Sequence, residues 1–288
     1  MNNKKKWKCI SMTIRELEQK ANEIRQGIID LVHISKVGHV GGALSSCDIL
    51  TALYYEVMKV NAGKAEDPDR DRFVLSKGHC VEGHLNILAD KGFIEKEELK
   101  SFCQFGTRLI AHPNRQIPGV EMNTGALGHG LSVACGMAKA AKIQNRDYRV
   151  FVVMGDGEQG EGSIWEAAMF AANYKLDNLY AILDRNRLQI SGPTEDVMKL
   201  EPLKEKWEAF GFYVEEIDGN DMREILYAFY KLEKVKDRPK LILADTIKGK
   251  GVSFMENQTK WHHGGLNDEL YETASKEIAE RTRRLCYE

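Results

Sequence analysis

Apolar positions along the chain follow two rhythms. Short runs of aliphatic and β-branched residues occur at Arg72–Lys77, Val150–Asp156, Leu179–Asn186, Phe212–Gly219 and Leu241–Ile247. Each is too short for a helix, and the stretches between them repeat apolar residues every three or four positions. This alternation predicts an α/β fold, a parallel sheet flanked by helices, because strands covered on both faces read as nearly continuous apolar runs. Ligands of such sheets bind beyond the carboxyl ends of the strands, so chemistry is sought directly after each run. Thr13 followed by Glu16 has the capping-box pattern and predicts a helix through about Ser35. Gly38, Gly41 and Gly42 then interrupt the periodicity before a second helix over Leu50–Val60. Ser163 with Glu166 repeats the capping-box pattern, which gives Glu166 a structural role first. No repeat or linker is evident, so one domain is expected over residues 1–288, with a helical extension over about 1–35 and a charged helical tail over about 266–288.

Composition narrows the function classes. The chain has 288 residues, 43% hydrophobic and 29% charged, enough for one sizeable core. A net charge of -2 with both signs dispersed offers no field for nucleic acid or an anionic membrane. The six cysteines, Cys9, Cys47, Cys80, Cys103, Cys135 and Cys286, form no C-x-x-C pair and read as reduced thiols. The basic start is not followed by an apolar segment, and no stretch has the length to span a bilayer, so a cytosolic protein is expected.

The second apolar run ends in Gly155-Asp156-Gly157-Glu158-Gln159-Gly160, which satisfies the dinucleotide pattern G-x-G-x-x-G, and Asp184 closes the next run. A nicotinamide-dependent dehydrogenase is therefore one reading. Charge opposes it: Asp156, Glu158 and Glu161 would surround a bare pyrophosphate with carboxylates. A hard divalent cation removes the conflict, since it takes carboxylate, amide and phosphate oxygens together. Asp156 after one strand and Asn186 after the next reach the same sheet edge, with the Leu188 carbonyl as a third oxygen. Taken singly, Asp156 and Asn186 are also ordinary turn residues; it is their joint placement that points to a metal.

The segment from Gly155 to Gly192, GDGEQGEGSIWEAAMFAANYKLDNLYAILDRNRLQISG, resembles the thiamine-diphosphate motif of transketolases, which opens with GDG and closes with an asparagine. SKVGHVGGALS, LSKGHC, IAHPN, PGVEMNTGALGHGLSVACGMA and WHHGG extend the resemblance over nearly the whole chain. It implies the thiamine-diphosphate-binding (PP-type) fold, with thiamine diphosphate and Mg2+ (or Ca2+ or Mn2+) as cofactors. Asp156, Asn186 and the Leu188 carbonyl would hold the metal, and Gly157 the diphosphate. His79 and His262 would contact phosphate oxygens, His263 being the alternative for the latter. Gly125 and Leu127 would support the cofactor's ring portion, and Ile190 would lie near the thiazolium. His39 and His112 would line the substrate channel. Glu161 would join a carboxylate relay across a dimer. The chain departs from the family pattern at Ala126 and at His129, which stand where proline and glutamine are common.

The resemblance implies transfer of a two-carbon ketol unit between sugar phosphates, as in pentose phosphate metabolism. The family's activating glutamate lies in a pyrimidine-binding domain absent from this chain, so a separate C-terminal subunit and a heterotetramer are expected. A deoxyxylulose-phosphate synthase-like subunit and a specialised sugar transketolase are the alternatives within this chemistry. A noncatalytic homologue is opposed by the presence of both His39 and His112.

Overall fold

A five-stranded sheet, parallel throughout, organises the protein, whose computed structural model describes residues 11–287. The strands are β1 (Arg72–Leu75), β2 (Val150–Gly155), β3 (Leu179–Arg185), β4 (Tyr213–Asp218) and β5 (Lys240–Asp245), in the order β1-β2-β3-β5-β4. All five coincide with the apolar runs. Every residue of the central strand β3 is buried, whereas β4 alternates, as an edge strand with one neighbour does.

Ten helices pack around the sheet among the described residues: α1 (Ile14–Ser35), α2 (Val40–Ser45), α3 (Cys47–Ala52), α4 (Val81–Asp90), α5 (His129–Ile143), α6 (Gly162–Asn173), α7 (Thr194–Val197), α8 (Leu203–Ala209), α9 (Met222–Leu232) and α10 (Asp268–Tyr287). Alternate strand residues feed two cores. Phe73, Leu75, Phe151, Val153, Ile182 and Ile242 meet α1, α3, α4 and α9 on one face. Val74, Val150, Val152, Met154, Leu183 and Leu243 meet α5, α6 and α8 on the other. Truncating a side chain such as Ile182, which is wholly buried, removes about 2–5 kcal/mol at such positions. The predicted capping box on α1 is present: Glu16 N–H donates to Thr13 Oγ1 at 3.2 Å and Thr13 N–H to Glu16 Oε2 at 2.6 Å.

Three local expectations are corrected. Gly41 and Gly42 lie inside α2 and do not interrupt it. A Cβ at Gly42 would fall 2.4 Å from Cys80 Sγ, so close helix packing explains that glycine. The second helix begins at Cys47 and widens into a π-helical turn over Leu53–Val57, with Met58 already extended. Ser163 does not cap α6: it sits within the helix, where Glu161 is the capping position without a side-chain bond, and its hydroxyl donates to the Gly128 carbonyl at 3.0 Å. Cys47, Cys80, Cys103, Cys135 and Cys286 are free thiols, and Cys9 and the first ten residues of the expected extension lie outside the described residues. Among the described residues no helix is long and apolar enough to cross a membrane.

Candidate active site

A cleft of about 370 Å³ opens at the carboxyl edge of the sheet. Its walls come from the segments that leave β1 (Lys77, His79), β2 (Gly155–Glu158), β3 (Asn186–Ile190) and β5 (Lys248). His39 before α2, Gly125 and Leu127 before α5, Glu161 before α6 and His262 near the chain's end complete it. This is where open parallel sheets place ligands, because loops and helix amino ends converge there.

Two glycines let the walls approach. Gly125 has φ +134, and a Cβ there would lie 2.6 Å from His112 Cδ2, so His112 rests on bare backbone. Gly128 has φ +82 at the start of α5, and a Cβ would lie 2.6 Å from Glu161 Cβ.

Under the cleft lies a buried polar network centred on Asp184. Its carboxylate accepts from Lys77 Nζ, from Thr246 Oγ1 and from Ser45 Oγ at 2.6 Å. Burial alone would raise the Asp184 pKa, yet the Lys77 ammonium holds it below the usual carboxylate value. Asp184 is wholly enclosed and has no access to a ribose, which removes the structural basis of the dehydrogenase reading.

Asp156, Asn186 and Leu188 line the same cleft. Asp156 Oδ1 accepts from Gly157 N–H at 2.8 Å, and Oδ2 from Arg187 N–H at 2.5 Å and Arg185 Nη1 at 3.3 Å. Burial, reinforced by Asp184, raises the Asp156 pKa, so a nearby cation would be stabilising. Asn186 Oδ1 accepts from Leu188 N–H at 3.2 Å. The Leu188 carbonyl accepts from Lys248 Nζ at 3.1 Å, so a cation is already drawn to that oxygen. Among the described residues no three His, Cys, Asp or Glu side chains are grouped to hold a metal. The set here is one carboxylate, one amide and one carbonyl, all hard oxygens of the kind Mg2+ or Ca2+ accepts.

Beside them, linked to the Leu188 carbonyl through Lys248 Nζ, is a cluster of histidines. The His39 ring centroid lies 5.1 Å from His79, 6.1 Å from His112, 5.8 Å from His262 and 4.7 Å from His263. His79 and His262 stack at 5.4 Å. Burial is the main cause of lowered pKa values: about 4 for His39, about 2 for His79 and about 3 for His262, with His112 lowered as well. These four rings are neutral at pH 7 and offer one donor and one acceptor each.

Of the residues singled out in the sequence, His39, His79, Gly125, Leu127, Asp156, Gly157, Glu161, Asn186, Leu188, Ile190 and His262 line the cleft, and His112 borders it through His39 and Gly125. His262 is part-buried with Nδ1 3.0 Å from Lys248 Nζ, whereas His263 is exposed, so the former is the one built into the wall. His129 points away, exposed, with Nδ1 3.0 Å from the Leu127 carbonyl, and Glu166 is exposed on α6. Sequence reasoning missed Lys77, Gln189 and Lys248, and read Glu158 only as a carboxylate that would repel a bare pyrophosphate. Glu158 ties the loops together, accepting from Ser76 Oγ, Gly128 N–H at 2.8 Å and Gly155 N–H at 3.0 Å. Lys77 and Lys248 stand just past β1 and β5, the signal that would have marked them.

Comparisons with known proteins agree with this geometry. The family described as transketolase, thiamine diphosphate binding domain, matches residues 17–281. An apulose-4-phosphate transketolase subunit of Phocaeicola vulgatus is 50% identical over 274 residues, covering 95% of this chain and 98% of that protein. A 6-deoxy-6-sulfo-D-fructose transketolase subunit of a Clostridium species is 42% identical over 264 residues, covering 91% and 96%. The transketolase structure from Campylobacter jejuni superposes with a TM-score of 0.88 at 32% identity, covering 95% of this chain and 46% of that one. The chain thus spans a little under half the length of that solved transketolase. Fold and matches define a thiamine-diphosphate-binding class of α/β transferase. Within it, the chain belongs to the transketolase family, as its N-terminal, thiamine-diphosphate-binding part.

Proposed function

We propose that this chain works as one half of a split transketolase, moving a two-carbon ketol unit from a ketose phosphate to an aldose phosphate once joined by a separate C-terminal subunit. The observation that carries the reading is the pairing, in one cleft, of three hard oxygen donors with a wall of neutral histidines. Asp156, Asn186 and the Leu188 carbonyl would hold Mg2+, or Ca2+ or Mn2+ in its place, and the Gly157 N–H, His79 and His262 would meet diphosphate oxygens. Gly125, Leu127 and Ile190 would support the ring portion. Bound thiamine diphosphate supplies the electron sink needed to break a ketose C2–C3 bond.

The chain's own part is binding and proton handling. His39 and His112 face the cleft as uncharged imidazoles and would exchange hydrogen bonds and protons with donor and acceptor hydroxyls. Lys77 and Lys248 add buried positive charge beside a polyanionic ligand. Relatives that this chain covers almost end to end are themselves named as transketolase subunits, which supports a separate partner chain. Exposed Glu161, together with exposed Val133 on α5, Met169 and Phe170 on α6 and Tyr174 just past its end, supports a further contact between two copies, as in a heterotetramer. One domain over residues 1–288 belongs to the same proposal, supported by the packing of α1 against α10 at opposite ends of the chain. So does a cytosolic location, supported by the free thiols.

A second reading concerns the sugar. Relatives at 50% and 42% identity are named for apulose-4-phosphate and 6-deoxy-6-sulfo-D-fructose, which favours a specialised sugar over the pentose phosphates. Reconstitution tests both readings. The chain mixed with its C-terminal partner should transfer two-carbon units, and full ketol transfer by this chain alone would overturn the split arrangement. Ranking donor ketoses by kcat/KM then identifies the sugar.

A further inference from the structure

Behind His39 lies a carboxyl group that the cofactor-binding residues do not use. Glu82, on the first turn of α4, is wholly buried. Its Oε1 accepts the main-chain N–H of His39 at 2.7 Å. Its Oε2 is enclosed with no hydrogen-bond partner, and so is Nδ1 of His39. A buried polar atom left unpaired costs about 1–3 kcal/mol, and here one lies on Glu82 and the other on the residue whose main-chain N–H Glu82 holds. Gly38 makes the approach possible: a Cβ there would lie 2.7 Å from Glu82 Oε1.

The position of His39 also poses a chemical difficulty. A base that takes a proton from a sugar hydroxyl normally becomes a cation. Burial and the neighbouring His263, His112 and Lys248 disfavour the imidazolium, pushing the His39 pKa to about 4. Glu82 faces the opposite constraint, since burial raises its carboxyl to about 7 and leaves both protonation states accessible near neutral pH. Around it stand Lys77 and Cys80 on the turn before α4, Cys103, and His39 itself.

We propose that Glu82 is the positioning and proton-relay partner of His39, with Oε2 turning to meet Nδ1 during the reaction. In the resting form Glu82 is a carboxylate and His39 carries its proton on Nδ1, so Nε2 presents a lone pair to the cleft. When Nε2 takes a hydroxyl proton from the sugar, the Nδ1 proton passes to Glu82 Oε2. His39 ends neutral with its proton on Nε2, and Glu82 ends as the carboxylic acid. No imidazolium is formed, and the reverse transfer returns the proton to an alkoxide. Glu82 touches no substrate and acts through His39.

This inference rests on the placement of His39 against a sugar hydroxyl. The test uses the reconstituted enzyme with Glu82→Gln, His39→Ala and the double variant. Glu82→Gln keeps an acceptor for the His39 N–H and loses the ability to take a proton. Expected results are a fall in kcat of about 100-fold, unchanged affinity for thiamine diphosphate with Mg2+, and no further loss when it is added to His39→Ala. Turnover of Glu82→Gln within twofold of the parent, or losses that multiply in the double variant, would overturn the relay while leaving the role of His39 intact. Full activity of His39→Ala would instead remove the placement on which the relay depends. Should Glu82→Gln fail to fold, 15N spectra of histidine-labelled unaltered protein decide: His39 should pass from the Nδ1–H to the Nε2–H tautomer as pH falls through about 7, and a single Nε2–H tautomer from pH 6 to 9 would contradict it.

Discussion

The two ends of the sheet are built from similar residue types and behave differently. At the amino end a groove of about 1000 Å³, lined by Lys142, Arg149, Asp177, Glu233 and Lys240, is larger than the cleft of about 370 Å³ at the carboxyl end. Its charges are largely matched. Arg149 holds buried Asp71 at 2.6 Å, Lys142 holds part-exposed Asp177 at 2.6 Å, and among the described residues Asn178 Oδ1 is the one buried side-chain oxygen of this lining without a partner. At the carboxyl end, His39 Nδ1, Glu82 Oε2, Thr124 Oγ1, Gln159 Oε1 and Arg185 Nε are buried without partners, and histidine pKa values are depressed. Volume does not mark the site. Desolvated groups left short of partners do, because a bound ligand can complete them.

The sharpest break in this contrast comes from Asp156→Ala. Loss of the charged oxygen in the cleft should weaken Mg2+-dependent thiamine diphosphate binding by at least about 100-fold, or roughly 3 kcal/mol, read by calorimetry. His112→Ala is next: turnover of the reconstituted enzyme should fall by about 10- to 100-fold with cofactor affinity unchanged, and unchanged turnover would remove His112 from the site.

Acidification probes the cleft as a whole. His39, His79 and His262 have folded pKa values below their unfolded value of 6.5, so the unfolded chain binds more protons between those values. Their contribution is fully present above pH 6.5 and is lost as pH falls. On the order of 1 kcal/mol per histidine should disappear by pH 5 in denaturant titrations, less at the part-exposed rings of His39 and His262, where solvent screens the charge. Glu82, Asp156 and Glu158 work in the opposite direction, since their raised carboxyls favour the folded state as pH falls. The smallest effect belongs to the amino end. Lys142→Ala breaks a partly exposed ion pair and should change stability by less than about 1 kcal/mol and leave turnover unaltered.

Much of this was legible in the sequence because it depends on local pattern. β1, β2, β3 and β5 follow from nearly continuous apolar runs and β4 from an alternating one, and the Thr13–Glu16 cap follows from spacing alone. Asp156 and Asn186 could be read because adjacent parallel strands bring their carboxyl ends together whatever the rest of the fold does. The misses share a physical cause. Lys77, Glu82, Glu158 and Lys248 are charged, and charged residues in a sequence look like solvated surface. Their burial is a tertiary fact, maintained by partners such as Asp184 and the His39 N–H far away in the chain. Asp184 itself could be read only as a ribose ligand, while the structure makes it the anchor of Lys77. Ser163 fits a capping box by spacing, but the Gly128 carbonyl takes its hydroxyl. Gly41 and Gly42 read as breakers, whereas tight packing of α2 against Cys80 uses them within a helix.

The role proposed for the oxygens of Asp156, Asn186 and Leu188 is to make this chain a metal-dependent holder of a diphosphate cofactor. Calorimetric titration of thiamine diphosphate, with and without Mg2+, into the chain alone and mixed with its C-terminal partner tests it most directly. The account predicts binding that requires Mg2+ and is tightest in the mixture. Magnesium-independent binding of NADH, with no response to thiamine diphosphate in either sample, would contradict it.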